Sequence, residues 1–285
     1  MISVFGTTFQ NPILLAAGTA GFGREVSEVI DLERLGGLIT KAVSPEARAG
    51  NPRPRVAEFG GGMLNSVGLA NPGMDRVASQ ELPWLEAHLH HARVLVNVVG
   101  DRPEDYVAVV QRLDDRAIIT AFELNVSCPN TARGGEEFGA NDAVLEALVR
   151  TCVQVSTRPI IVKLAPTLPD MAATAEIAAE AGAAGFSVVN TIPGTLFETG
   201  KGRAPRLGAG QGGMSGPALL PVGVLATRRV HERTGLPVIG TGGIRVAEDV
   251  AQYLDAGASL VAVGTAALAD PRCPERLAAA WAPVG

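Results

Sequence analysis

The sequence predicts one closed (β/α)8 barrel spanning residues 1–285, and three observations predict it. Eight short β-type runs recur along the chain, and they are largely apolar instead of alternating, as parallel strands buried on both faces are. Each run is followed by a helix-like segment. No linker-like shift of composition splits the chain, so one domain accounts for it. A doubly wound open sheet is the competing arrangement. The count of eight favours the barrel, a TIM-type fold.

Taken in order, residues 2–9 read as a small β-hairpin ahead of the first strand, placed to plug the barrel bottom. The strand runs are residues 13–16, 37–40, 94–98, 119–125, 160–164, 185–189, 238–240 and 260–263. Helical patterns lie at 103–113, 142–155, 170–181, 217–233 and 246–256. Gly182, Gly235 and Gly257 each stand between a helical segment and the next strand, as C-terminal caps do. Three long excursions, 43–75, 127–140 and 191–216, follow strand C-termini. Loops of that length in a compact domain are usually functional or disordered, and the strand C-termini form the face where barrels carry their sites. These loops are therefore expected to act as lids and substrate walls.

Composition removes several classes of function. Hydrophobic residues make up 47% of the chain, enough for a large core, and aromatics only 4%. The formal net charge of −5, without a Lys/Arg block, argues against nucleic acid and anionic membrane surfaces as partners. No apolar run approaches the ~20 residues of a membrane span. The start at Met1 lacks the basic-then-apolar pattern of a signal peptide. Cys128, Cys152 and Cys273 are too few for a disulfide framework, a zinc knuckle or an iron–sulfur cluster. A cytoplasmic protein with reduced thiols and no metal is expected. The four histidines (His88, His90, His91, His231) fall in helix-like segments and read as surface residues.

Chemistry concentrates where strands end. The fourth run closes into Asn125-Val126-Ser127-Cys128-Pro129-Asn130, a turn poorly suited to packing and well suited to presenting amides and a thiol to a ligand. A cysteine so placed can act as base or nucleophile, although alone it would more often be a small buried residue. Cys152, in a helix with apolar neighbours, reads as that. Lys41 follows the second run and alone would be a solvated lysine; Asn97 and Asn190 alone could be turn formers. Lys163, inside Ile-Ile-Val-Lys-Leu, differs. A buried ammonium needs compensation, and a ligand anion or electron-rich ring is the expected source. Gly242-Gly243 and Gly264-Thr265 follow the last two strands, where barrels often bind phosphate on backbone N–H groups at helix starts.

Together these residues resemble the dihydroorotate dehydrogenases over nearly the whole chain. The matching motifs are Asn11-Pro12 with Ala16-Ala17-Gly18-Thr19, Thr40-Lys41, residues 50–55, Asn65-Ser66-Val67-Gly68-Leu69 with Asn71-Pro72-Gly73, and the Asn125 to Asn130 stretch. They continue with Val162-Lys163-Leu164, Asn190-Thr191, residues 212–217, Gly242-Gly243-Ile244 and Val263-Gly264-Thr265. Cysteine at 128, where membrane-bound members carry serine, is similar to class 1. Gly134-Gly135 with Phe138-Gly139, and Gly61-Gly62-Met63-Leu64-Asn65, are similar to the class 1B catalytic subunit. Three segments depart from the family pattern: residues 165–170, Ile192-Pro193-Gly194 and the glycine-rich 200–213.

The resemblance implies oxidation of dihydroorotate to orotate in pyrimidine biosynthesis, with FMN as cofactor. It implies Cys128 as general base, with Lys41 beside it. Substrate contacts would come from Lys41, Asn65, Ser66, Gly68, Leu69, Asn125, Asn130, Asn190 and Thr191. FMN would lie against Ala17, Gly18, Lys41, Asn97, Asn125, Lys163, Val189, Gly216, Gly242, Gly243, Gly264 and Thr265. It also implies a homodimer core and, for class 1B, a separate subunit carrying FAD and an iron–sulfur cluster. The alternatives are an FMN-barrel reductase of a related pyrimidine, a Schiff-base lyase using Lys41 or Lys163, and a barrel that only binds a phosphorylated metabolite.

Overall fold

A computed structural model describes residues 1–127, 129–130, 136–200 and 202–281. In chain order the strands are β1 (Ile2–Val4), β2 (Thr7–Phe9), β3 (Ile13–Leu15), β4 (Gly37–Ile39), β5 (Val56–Phe59), β6 (Gly62–Asn65), β7 (Arg93–Val98) and β8 (Ile119–Asn125). They continue as β9 (Pro129–Asn130), β10 (Glu136–Glu137), β11 (Ile160–Leu164), β12 (Gly185–Val188), β13 (Ile192–Gly194), β14 (Gly212–Ser215), β15 (Val238–Thr241) and β16 (Leu260–Val263). Eight of them close into a parallel barrel in the order β11-β12-β15-β16-β3-β4-β7-β8. These eight are the predicted runs, with ends shifted by at most one residue.

Helices Pro103–Leu113 and Asp142–Val155 begin and end where the pattern places them. Their starts are chemically marked: Pro103 occupies a first-turn position where a missing N–H costs nothing, and the Asn141 side chain accepts the Val144 N–H. Buried Tyr106, Val109, Val110 and Leu113 form the inner stripe of the first of these helices. The segment 217–233 divides into a 3-10 turn, Pro217–Leu219, and a helix, Leu220–Thr234.

One expectation fails. The first barrel strand is not followed by an α-helix: among the described residues only turns and the 3-10 segment Leu32–Arg34 lie between β3 and β4. The C-terminal helix Cys273–Ala280 packs against β3 and that 3-10 turn, covering the flank. Glu275 Oε1 ties it down by accepting the Asp31 N–H at 2.7 Å.

The hairpin β1–β2 does plug the barrel. Val4, Phe5 and Phe9 share one buried cluster with Leu14, Ile39, Leu95, Ala121, Ile161, Ile239 and Leu260, one or more residues from most barrel strands. The fit is tight: a Cβ at Gly185 would lie 2.7 Å from the Phe5 ring. Phe9 is fully buried. Phe9→Ala is expected to destabilise the fold by about 3–5 kcal/mol, read as a lower midpoint in denaturant unfolding.

The excursions 43–75 and 191–216 are not plain loops. Each contributes strands to a second, antiparallel sheet, β13-β14-β6-β5. Asn65 pairs with Gly213 and Met63 with Ser215 across it. Ala57, Leu64 and Leu207 form its own small core. This sheet walls the cleft described next.

Candidate active site

Side chains alternate along a strand, so residues two apart share a face. The buried plug cluster contains Leu95 of β7, Ala121 of β8, Ile161 of β11 and Ile239 of β15, which fixes the inward face. Asn97, Glu123, Lys163 and Thr241 stand two residues further along these strands, one level nearer the C-terminal end. Register brings them together: Asn97 lies opposite Glu123, and Lys163 lies between Asn125 and Ser187. The barrel interior is therefore apolar at its plugged end and polar above it.

At the polar level Glu123 is completely buried. Asn97 Nδ2 donates to its Oε1 at 2.7 Å. The Ser187 hydroxyl donates to Oε2. Lys163 Nζ stands 3.6 Å from Oε1. The compensation expected from a ligand thus comes from inside the chain: Lys163 has its counter-ion in β8. That corrects the sequence-based expectation, in which a ligand anion or electron-rich ring was the source. Above it, Asn190 Nδ2 donates to Asn125 Oδ1 at 3.2 Å, while Asn190 Oδ1 accepts the Thr191 N–H at 2.8 Å.

Asn97, Asn125, Lys163, Asn190 and Thr191 form the floor of a cleft of about 1360 Å³. Its lining includes Ala17, Gly18, Lys41, Asn65, Ser66, Gly68, Leu69, Asn97, Asn125, Lys163, Val189, Asn190, Thr191, Gly216, Gly242, Gly243, Gly264 and Thr265. The sequence-selected residues that are described thus meet in one place. Cys128 lies outside the described residues, as does the side chain of Asn130; Ser127, next to Cys128, lines the cleft. Pro193, one of the departures from the family pattern, is part of the wall.

The second sheet holds the polar wall in place. Asn65 Nδ2 donates to Gly213 O at 3.3 Å, and Asn51 Nδ2 donates to Ser66 Oγ at 2.8 Å. Asn71 braces the loop from both sides, donating to Ser44 Oγ at 2.7 Å and to Leu69 O at 2.8 Å.

The other end of the cleft is built from backbone. No hydrogen bond within the described residues uses the N–H groups of Gly242, Gly243, Gly264 and Thr265. The Tyr253 hydroxyl donates to Gly242 O at 2.7 Å and so anchors that turn; Tyr106 likewise donates to Asn125 O at 2.9 Å. Each of the chain's two tyrosines pins the backbone where a barrel strand meets the cleft. Both lie within the helical patterns 103–113 and 246–256, which carry no sign of this role. Thr265 Oγ1 donates to Ser215 Oγ at 2.8 Å, linking the glycine turns to the second sheet.

Of the other thiols, Cys152 lies in a helix outside the cleft lining, while Cys273 is part of it. Burial pushes the Cys152 thiol up to about 12 and raises that of Cys273 as well. His90 and His91 lie beyond the helix Leu82–His88, with their N–H groups on Glu33, and His231 is half-buried. Among the described residues, no cluster of His, Cys, Asp and Glu is placed to hold a metal, and no helix is long and apolar enough to cross a membrane.

Comparison with known proteins accords with this geometry. The family model for dihydroorotate dehydrogenase matches residues 1–280. A protein of Geobacillus kaustophilus named dihydroorotate dehydrogenase B (NAD(+)), catalytic subunit, is 44% identical over 274 residues, covering 96% of this chain and 87% of that one. The protein of the same name from Listeria monocytogenes serotype 4b (strain CLIP80459) is 42% identical over 275 residues, covering 96% and 90%. One from Bacillus thuringiensis is 44% identical over 270 residues, covering 94% and 86%. With its barrel, its polar cleft and a family match over almost its full length, the chain belongs to the dihydroorotate dehydrogenase family, oxidoreductases acting on dihydroorotate.

Proposed function

We propose that this cleft binds FMN and dihydroorotate together, with Cys128 as the base that opens the oxidation. The observation that carries the proposal is the polarity of the cleft: unused backbone N–H groups at one end, a lysine and asparagines at the other. Three features fit a flavin mononucleotide. The four free N–H groups suit a phosphate. Gly18, at φ +80°, would project a Cβ into space with no protein atom within 4 Å, so a flat ring can approach the backbone there. The buried Ser127 hydroxyl has no partner among the described residues.

When bound, FMN supplies the two-electron acceptor for the hydride leaving C6 of dihydroorotate. The protein's part is positional and acid–base. Lys163 and Asn97, fixed from below by Glu123, present an ammonium and an amide to the ring. Asn65, Asn125, Asn130, Asn190 and Thr191 hold the substrate's ring amides and carboxylate, with Lys41 beside them. Cys128 Sγ, as thiolate, takes the proton from C5. The second sheet limits water around the substrate.

The Schiff-base alternative fits less well. A Schiff base leaves the lysine nitrogen bonded to the substrate, and Lys163 Nζ is already the ion-pair partner of the buried Glu123 carboxylate at 3.6 Å. Purified protein is expected to be yellow with flavin absorption, and its band should bleach with dihydroorotate. Colourless protein that borohydride cross-links to a carbonyl substrate would overturn the proposal in favour of the lyase.

The names of the relatives speak of a catalytic subunit and of NAD(+). We infer a separate electron-transfer subunit with FAD and an iron–sulfur cluster for this chain too, around a homodimeric core. Its three cysteines fall short of a cluster's four thiolates. The free thiols of Cys152 and Cys273 suit the reducing cytoplasm.

A further inference from the structure

We propose that Glu123 is a positioning residue that sets the field Lys163 exerts on the ring bound above it; this rests on the flavin reading of the cleft. Glu123 is completely buried, yet it lies one level below the cleft floor and is absent from the lining. Its contacts point in one direction. Oε1 receives the Asn97 amide at 2.7 Å and faces Lys163 Nζ at 3.6 Å; Oε2 receives the Ser187 hydroxyl. The three other barrel strands from β7 to β12 thus each send a polar side chain to one carboxylate, and two of those side chains, Asn97 and Lys163, line the cleft.

An apolar residue would fill this level of a barrel more simply, because burying a carboxylate is costly unless it is paired and hydrogen-bonded. The pair has two consequences. It makes a buried lysine tolerable before any ligand arrives. It also cancels part of the ammonium's field at short range, where the low-dielectric interior makes each charge count. Two-electron reduction adds negative charge to a flavin, so the Lys163–Glu123 balance tunes the relative affinity for the reduced and oxidised forms.

Glu123→Gln separates charge from shape. The glutamine carbonyl still accepts from Asn97, and its amide can donate to Ser187 once that hydroxyl turns to accept. Only the negative charge is lost. On the purified full chain, the midpoint potential of bound flavin is expected to rise, with the preference for the reduced over the oxidised form increasing about tenfold, or about 30 mV for a two-electron couple. A purely structural glutamate would not move that value. In flavin-free protein, Glu123→Gln should lower the thermal unfolding midpoint, and adding Lys163→Met should recover it, because the orphaned ammonium is then gone.

A potential equal to that of the parent, or a Glu123→Gln chain that folds but takes up no FMN at saturating cofactor, would overturn the proposal. So would a stability loss that Lys163→Met leaves unrepaired. A parent protein that binds no flavin would instead sink the cofactor reading, while the unfolding comparison would still report on the ion pair.

Discussion

Cys128→Ala is expected to slow reduction of bound flavin by dihydroorotate by about 10²–10⁴-fold, the usual contribution of a positioned base. Flavin content and orotate affinity should stay near parental values, since the contacts proposed for both come from other residues. Rapid mixing without oxygen, followed at the flavin band, measures this. The pH profile adds a second check. A free thiol titrates near about 8.5, and the thiolate is the active form, so the parental rate should rise with pH toward that value. Burial pushes Cys152 up to about 12 and raises Cys273, so the displacement of the limb in a Cys128 variant is what assigns it to Cys128. Cys128→Ser should keep weak activity with the limb displaced to higher pH. An alanine variant that reduces flavin at the parental rate would remove Cys128 from the mechanism.

Lys163→Ala should have the largest structural effect of any single change in the cleft. It deletes the ammonium 3.6 Å from a fully buried carboxylate and leaves Glu123 with two neutral donors, Asn97 and Ser187. Removing one partner of a buried pair typically costs about 3–5 kcal/mol. We expect a matching drop in the urea unfolding midpoint and loss of flavin during gel filtration. Full flavin content together with unchanged stability would contradict both roles given to this lysine.

The barrel was legible because parallel strands buried on both faces leave uninterrupted apolar runs. The helices Pro103–Leu113 and Asp142–Val155 were legible because a first-turn proline and an asparagine cap mark their starts. The missing helix after β3 was not legible. Its place is taken by a helix nearly the whole chain away, and sequence-local patterns carry no record of that. The second sheet escaped for the same reason. Its strands are three or four residues long, three of them contain glycine, and Asn65 meets Gly213 across 148 positions.

The site shows the same division. Polar residues at strand ends stood out against apolar surroundings and converge on one cleft. Glu123 did not stand out as functional. In a strand buried on both sides nothing in the run says which residues face inward, and only the register of β7, β8 and β11 puts Asn97, Glu123 and Lys163 on one face. The tyrosine anchors were hidden because their hydroxyls reach backbone carbonyls outside their own helices, 19 and 11 residues away.

An anaerobic titration of the purified yellow protein with dihydroorotate tests the central claim most directly. One equivalent per flavin should bleach the visible band and yield one equivalent of orotate, because proton removal and two-electron transfer occur in the same cleft. Orotate formed with the band unchanged, or no bleaching at saturating dihydroorotate, would contradict the account.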